Sequence, residues 1–282
     1  MISPTQSKLS RDGSHLLVLP SFQEATQGDF SQPLSVILIH GFTADASYMR
    51  ELGRAFTGAG YTAFAFEYPC YRGIDYAAKV LADLLKNQDA HLSVHKTVLV
   101  GHSMGGLVAR AFVALENGHR WVRKVITLGT PHGGTLQDVK VLRRFAQLGE
   151  RLTGLNPRGY AMHSASALQL MQADNQMLLK RLNAAVPKVP IEFLSISGGH
   201  ANLDFGRGVV KNYLANRWLQ KRLSQPNDGL VAESSSDLTL VLSNPVNTAC
   251  SHRSNYTEYP VVNHSHLVFN QTVAWEAVQF AK

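Results

Sequence analysis

Short apolar runs of strand length recur along the chain, alternating with longer segments whose apolar positions follow helical spacing. The runs at 35–39, 61–68, 97–100, 124–128 and 191–197 predict strands. Between them, 49–59 predicts a helix closed by Gly60, and 74–86 sets Ala77, Val80, Leu81, Leu84 and Leu85 on one helical face. Residues 15–19 and the next dozen predict edge strands or a hairpin. A short strand or extended stretch is expected at 238–242, a last strand at 259–262 and a closing helix at 272–281. Strands alternating with helices argue for an α/β fold, a mostly parallel sheet with helices on both faces. The rhythm breaks at residue 135. From there to 187 the pattern is helical only, at 139–152 and again at 165–185, where Leu168, Met171, Leu178, Leu179 and Leu182 recur. The expectation is one domain over 1–282, with a helical cap inserted at about 135–187 above the carboxyl edge of the sheet. Ordinary packing helices account for most of those apolar residues; a mobile lid needs only a few to face the site.

The composition fits this picture. At 282 residues, 45% hydrophobic and 17% charged, the chain can bury a substantial core and has none of the features of a disordered or fibrous protein. No apolar run reaches the roughly 18 residues that a membrane span requires. The first residues lack a hydrophobic stretch of signal-peptide length, so a cytoplasmic location is expected, with secretion by another route left open. Cys70 and Cys250 form no metal spacing and no disulfide framework, and free thiols are expected. The net charge of +7 is scattered, which argues against a nucleic-acid partner. Its densest patch runs over 211–222, with Arg217, Trp218 and Lys221 inside it. A solvated helix face accounts for that patch, and transient contact with an anionic lipid interface is the alternative. The oligomeric state is left open.

The chemistry concentrates at Val98-Leu99-Val100-Gly101-His102-Ser103-Met104-Gly105-Gly106. An apolar strand enters Gly-x-Ser-x-Gly and a small-residue helix start follows, a turn that holds the serine in a strained conformation at the end of a sheet. Side chains at Gly101 or Gly105 would collide with the neighbouring strand or helix. A serine hydroxyl needs a base to become a nucleophile, and an imidazole held by a buried carboxylate is suited to that. Asp228, in Asn-Asp-Gly-Leu-Val, and His264, in Asn-His-Ser-His, follow Ser103 in the order Ser, acid, His. Asp204 and Asp237 compete for the acid. His266 competes for the base, since two residues of an extended segment point the same way. His252, His200, His119 and the histidines near residue 90 read as solvated loop residues. The N–H groups of Met104 and Phe42 are the candidate oxyanion donors, the second because it follows the strand ending at Ile39. His40 and His132 are expected to brace their turns. No cofactor or metal is needed by this set.

With His40-Gly41-Phe42, Gly129-Thr130-Pro131-His132-Gly133-Gly134 and the segments just named, the chain resembles the bacterial triacylglycerol lipases and related carboxylesterases of the α/β-hydrolase fold. The resemblance implies hydrolysis of fatty acyl esters through an acyl-serine intermediate, often at an interface beneath a lid, with an ester or lipid as substrate. It also favours His264 over His266, from a histidine three residues before Leu-Val. Two features depart from the family. Many of these lipases carry a calcium-binding aspartate where His266 stands, and Cys250 lies too far past the acid for the family's disulfide. The acid-to-base stretch is also longer. A phospholipase or acyltransferase on the same triad is the alternative within enzymes, and a non-catalytic scaffold binding a ligand or partner is the alternative outside them.

Overall fold

The computed structural model describes residues 13–19, 21, 23–25, 34–87, 97–135, 164–170, 177–204, 209–223, 226–254 and 262–282. Among the described residues eight strands form one sheet: β1 (His15–Val18), β2 (Gln23–Glu24), β3 (Ser35–Ile39), β4 (Thr62–Glu67), β5 (Thr97–His102), β6 (Val122–Leu128), β7 (Ile191–Ser197) and β8 (Thr248–Ser254). Their order is β2-β1-β4-β3-β5-β6-β7-β8. From β4 to β8 neighbouring strands are parallel, whereas β1 runs antiparallel to both β2 and β4. The expected hairpin is therefore present, with β2 as the edge.

The helices are α1 (Arg50–Gly58), α2 (Ile74–Lys86), α3 (Met104–Leu115), α4 (Ala165–Leu170), α5 (Met177–Ala184), α6 (Val209–Gln220), α7 (Glu233–Ser236), α8 (Leu238–Val241) and α9 (Gln271–Ala281). None of these is long and apolar enough to cross a membrane. They cover the sheet from two sides because the strands are apolar on both. Ile37, Ile39, Phe64, Phe66 and Leu99 point into one core layer with α2, α3 and α5. Val36, Leu38, Ala63, Ala65, Val98 and Val100 point into the other, with α1 and α9. Alternate residues of a strand thus feed opposite layers.

One sequence expectation is corrected, and one strand is added. Residues 238–242 are not extended: Leu238–Val241 is a helical turn, because Asp237 caps it by accepting from the Thr239 N–H. Strand β8 at Thr248–Ser254 lies in a stretch too polar to show an apolar run; it pairs along its whole length with β7. Residues 259–261 of the expected strand lie outside the described residues, as do the expected helix at 139–152 and much of the expected cap. The single helix expected at 165–185 is described as α4 and α5, with 171–176 outside. Among the described residues α5 is a packing helix, with Leu178, Leu179 and Leu182 in the core. Cys70 and Cys250 are free thiols, and burial raises each to a pKa of about 11.

Candidate active site

The carboxyl ends of β3, β5, β6 and β7 lie side by side, and each delivers one part of the site. At the end of β5, Ser103 has φ 54° and ψ −123°, a conformation strained for a side chain with a Cβ. Its N–H donates to the Leu128 carbonyl at the end of β6 over 2.8 Å, which fixes the turn against the next strand. The flanking glycines explain how the turn fits. A Cβ on Gly101 would strike the backbone of Gly105 and Gly106, and one on Gly105 would strike the Ile39 carbonyl of β3. Both collisions agree with the sequence reading.

Met104 opens α3, so its N–H has no acceptor within the helix, and no side chain caps that end. The helix dipole adds to the positive potential there. On the other side, β3 ends in His40-Gly41-Phe42. Gly41 lies so close to Ser103 that an added Cβ would sit 3.0 Å from the serine Cβ. The next residue after Phe42, Thr43, is held at φ 61°. Phe42 is half-buried and packs on Ala167 of α4. That helix is pinned in turn, since Ser166 Oγ accepts from the Gly73 N–H and Gln169 Oε1 from the Ile74 N–H at the start of α2.

Asp228 and His264 meet over the ends of β6 and β7. His264 Nδ1 lies 2.8 Å from Asp228 Oδ2, and both residues are buried. The other carboxylate oxygen, Oδ1, accepts from the N–H groups of Leu230 and Val231 at 3.0 and 2.8 Å. The two segments are linked a second time by the His264 N–H, which donates to the Asp228 carbonyl. Gly129, one residue past the acceptor of the Ser103 N–H, has φ 58° and packs against the pair. A Cβ on it would lie 2.9 Å from both Asp228 Oδ2 and His264 Nδ1.

The competing residues are elsewhere. Asp204 accepts from Asn212. Asp237 caps α8 and lies 3.9 Å from a different imidazole, that of His252. Because His264–His266 is a 3-10 turn and not an extended segment, the two histidines diverge: His264 is buried and His266 exposed. No hydrogen bond joins Ser103 Oγ to His264 among the described residues; the two residues are connected through His102 and Gly129.

Residues not singled out for this purpose in the sequence hold the His264 turn. His102 Nε2 donates to the His264 carbonyl over 2.9 Å, and the two rings lie 4.9 Å apart. Burial lowers the His102 pKa to about 3, so this imidazole stays neutral. Tyr48 donates its hydroxyl to the Ser265 carbonyl over 2.8 Å, and burial raises its pKa to about 12. Both contacts join residues more than 160 positions apart. His102 was visible within its motif, but nothing in the sequence tied it to residue 264.

His40 and His132 brace turns, as expected. His40 Nδ1 donates to the Gly41 carbonyl over 3.0 Å, and the ring stacks on Tyr68; burial lowers its pKa to about 4. His132 lies between Thr127 and the buried Arg110, and burial, with the Arg110 charge beside it, holds it well below the usual histidine range. Arg110 also donates to Asn183 and the Leu182 carbonyl, tying α3 to α5. His252 is a correction: it is a residue of β8, mostly buried, with its ring nitrogens on Ser195 and Ser197.

Comparison with known proteins agrees with this fold. A search of curated proteins found no match. Among solved structures, the chain is similar to the mature Bacillus licheniformis lipase BlEst2, with 17% identity, TM-score 0.59, and 89% of this chain and 92% of that chain covered. It is also similar to a lipase-esterase related protein from Clostridium acetobutylicum, with 15% identity, TM-score 0.58, and coverages of 95% and 99%. For the esterase RhEst1 from Rhodococcus the identity is 15%, the TM-score 0.55, and the coverages 97% and 96%. At these identities the likeness is one of fold. A family model, that of the alpha/beta hydrolase family, matches residues 36–268, from the second position of β3 to the turn after His264. The chain belongs to the alpha/beta hydrolase family.

Proposed function

We propose that this protein is a serine hydrolase that cleaves carboxylic esters of fatty acyl groups through an acyl-serine intermediate. The reading is carried by the buried Asp228–His264 pair, 2.8 Å apart, beside a serine held at positive φ. In this reading Ser103 Oγ attacks the acyl carbon while His264 Nε2 takes its proton. Asp228, with Oδ1 on two backbone N–H groups and Oδ2 on His264 Nδ1, fixes the tautomer and stabilises the imidazolium. The oxyanion is held by the N–H groups of Met104 and Phe42, which flank Ser103 from α3 and from the β3 loop; losing one such donor costs about 100- to 1,000-fold in rate. Collapse returns the proton from His264 to the leaving alcohol. Water then repeats the sequence on the acyl-serine, releasing the acid and restoring Ser103. The Ser103–His264 hydrogen bond forms with substrate in place, as such bonds commonly tighten on binding.

The acyl chain would lie along Phe42 and α4. Lipases, an esterase and a thioesterase are among the proteins of similar fold, which supports acyl transfer to water over other hydrolase chemistry. A purely ligand-binding scaffold would have no use for a strained serine, since such strain persists only where the surroundings enforce it. The test is turnover of p-nitrophenyl esters of increasing chain length by wild type and Ser103→Ala. Wild type is expected to prefer longer acyl chains, with a loss of about 10⁴- to 10⁶-fold in the variant. Equal turnover by both proteins would remove the acyl-serine route.

A further inference from the structure

Helix α6 (Val209–Gln220) leaves apolar side chains on the surface in a row. Val209 is 87% exposed, Val210 70%, Tyr213 59% and Leu214 58%. At 3.6 residues per turn these four share one side of the helix with Arg217 and Lys221, both exposed. The opposite side is buried and committed: Leu219 packs with Leu203 and Leu223, and Asn216 makes two hydrogen bonds of 2.8 Å to the backbone of Leu203. Next to this, Gln220 exchanges hydrogen bonds with Asn227, the residue before Asp228. The helix is therefore fixed to the turn that carries the acid, with its exposed apolar face outward.

The charge on that face identifies what it fits. Residues 209–223 contain four basic residues, of which Arg217 and Lys221 lie on this face, and no acidic one. Trp218 lies half-buried at the border of the face, with the Arg222 guanidinium 4.0 Å over its ring. Aliphatic and aromatic side chains beside cations, without acids, are the composition of a helix lying in a membrane interface. A protein partner fits less well, because charged residues, lysine in particular, are depleted at the core of such interfaces. A second copy fits worst: a two-fold contact through α6 would bury Arg217 and Lys221 of both copies with no acidic residue of 209–223 to pair them.

We propose that the outer face of α6 docks on an anionic lipid surface, with Val210, Tyr213 and Leu214 entering the headgroup layer and Arg217 and Lys221 meeting lipid phosphates. Docking there sets the Asp228 turn beside the lipid, so that the site in Proposed function receives acyl substrate from the surface. Binding and catalysis are separate readouts, because docking is measured equally well on Ser103→Ala.

The test is co-sedimentation with phosphatidylcholine vesicles, with and without phosphatidylglycerol. Wild type and Ser103→Ala are expected to partition onto the phosphatidylglycerol vesicles and to be released as salt rises from roughly 0.1 to 1 M. Arg217→Ala with Lys221→Ala should lower partition by about 25-fold, at about fivefold per cation, while Arg217→Lys with Lys221→Arg should retain it. Val210→Ser with Leu214→Ser should also lower it, and these three α6 double variants, with Ser103 intact, should hydrolyse a soluble short ester at the wild-type rate. Equal partition of wild type and the doubly neutralised variant overturns the proposal. So does equal binding to uncharged vesicles, and so does a dimer seen by light scattering that Val210→Ser with Leu214→Ser disperses.

Discussion

Ser103, Asp228 and His264 each depend on backbone groups more than on other side chains. The serine is aimed by its N–H on Leu128 and by the two glycines that admit the turn. The carboxylate is aimed by two N–H groups that occupy Oδ1 and leave Oδ2 for the imidazole. A neutral amide in that place would satisfy those donors with its oxygen but present an NH₂ group to His264 Nδ1, favouring the wrong tautomer. Asp228→Asn is thus expected to lower kcat by about 10⁴-fold, whereas Asp204→Asn and Asp237→Asn leave it near wild type; steady-state kinetics on one soluble ester compares the three. Equal losses in all three would remove the special place given to Asp228. The turn around Ser103 was legible in sequence because its sterics are local. Periodicity left His264 and His266 open and only the family resemblance favoured His264; the 3-10 turn that separates the two rings is not revealed by alternation along the chain.

Between elements, the site is held by contacts that bridge distant parts of the chain. Tyr48, just before α1, and His102, at the end of β5, each accept responsibility for one carbonyl of the His264–His266 turn. Removing the Tyr48 hydroxyl leaves the Ser265 carbonyl without this donor. Tyr48→Phe is expected to lower unfolding stability by about 1 kcal/mol and to reduce kcat more than it raises KM; denaturant unfolding and kinetics on one preparation read both. An unchanged kcat would mean that the turn holds His264 without this bond. Such links explain which elements the sequence conveyed. Strands β3 to β7 announce themselves because they are apolar on both faces, and α2 because its apolar positions keep one side. Strand β8 is half-exposed and polar and takes its conformation from pairing with β7. Residues 238–241 are apolar enough to look extended, yet the Asp237 cap turns them into a helix.

For the molecule as a whole, buried histidines couple stability to pH. His40 and His102 are neutral in the folded protein, with pKa values lowered by burial to about 4 and about 3, and His132 is lowered as well. Unfolded, each returns to about 6.5. Between those limits the unfolded chain binds more protons, so stability rises with pH through this window, is fully present above about 6.5, and is lost as pH falls toward 4. Each such histidine contributes a slope of about 1.4 kcal/mol per pH unit there. The midpoint of thermal unfolding should therefore drop steeply from pH 7 to pH 5 and stay nearly level from pH 7 to pH 8. A level profile from pH 7 to pH 5 would mean that these rings take up protons without unfolding. The sheet that buries these histidines also carries Ser103 at the end of β5, and the proposed function rests on that serine acting with the Asp228–His264 pair. The most direct measurement is intact-protein mass spectrometry after treatment with a fluorophosphonate. One adduct is expected, mapped by peptide fragmentation to Ser103, absent in Ser103→Ala and much slower in His264→Gln. No adduct, or one on another residue, would contradict the account.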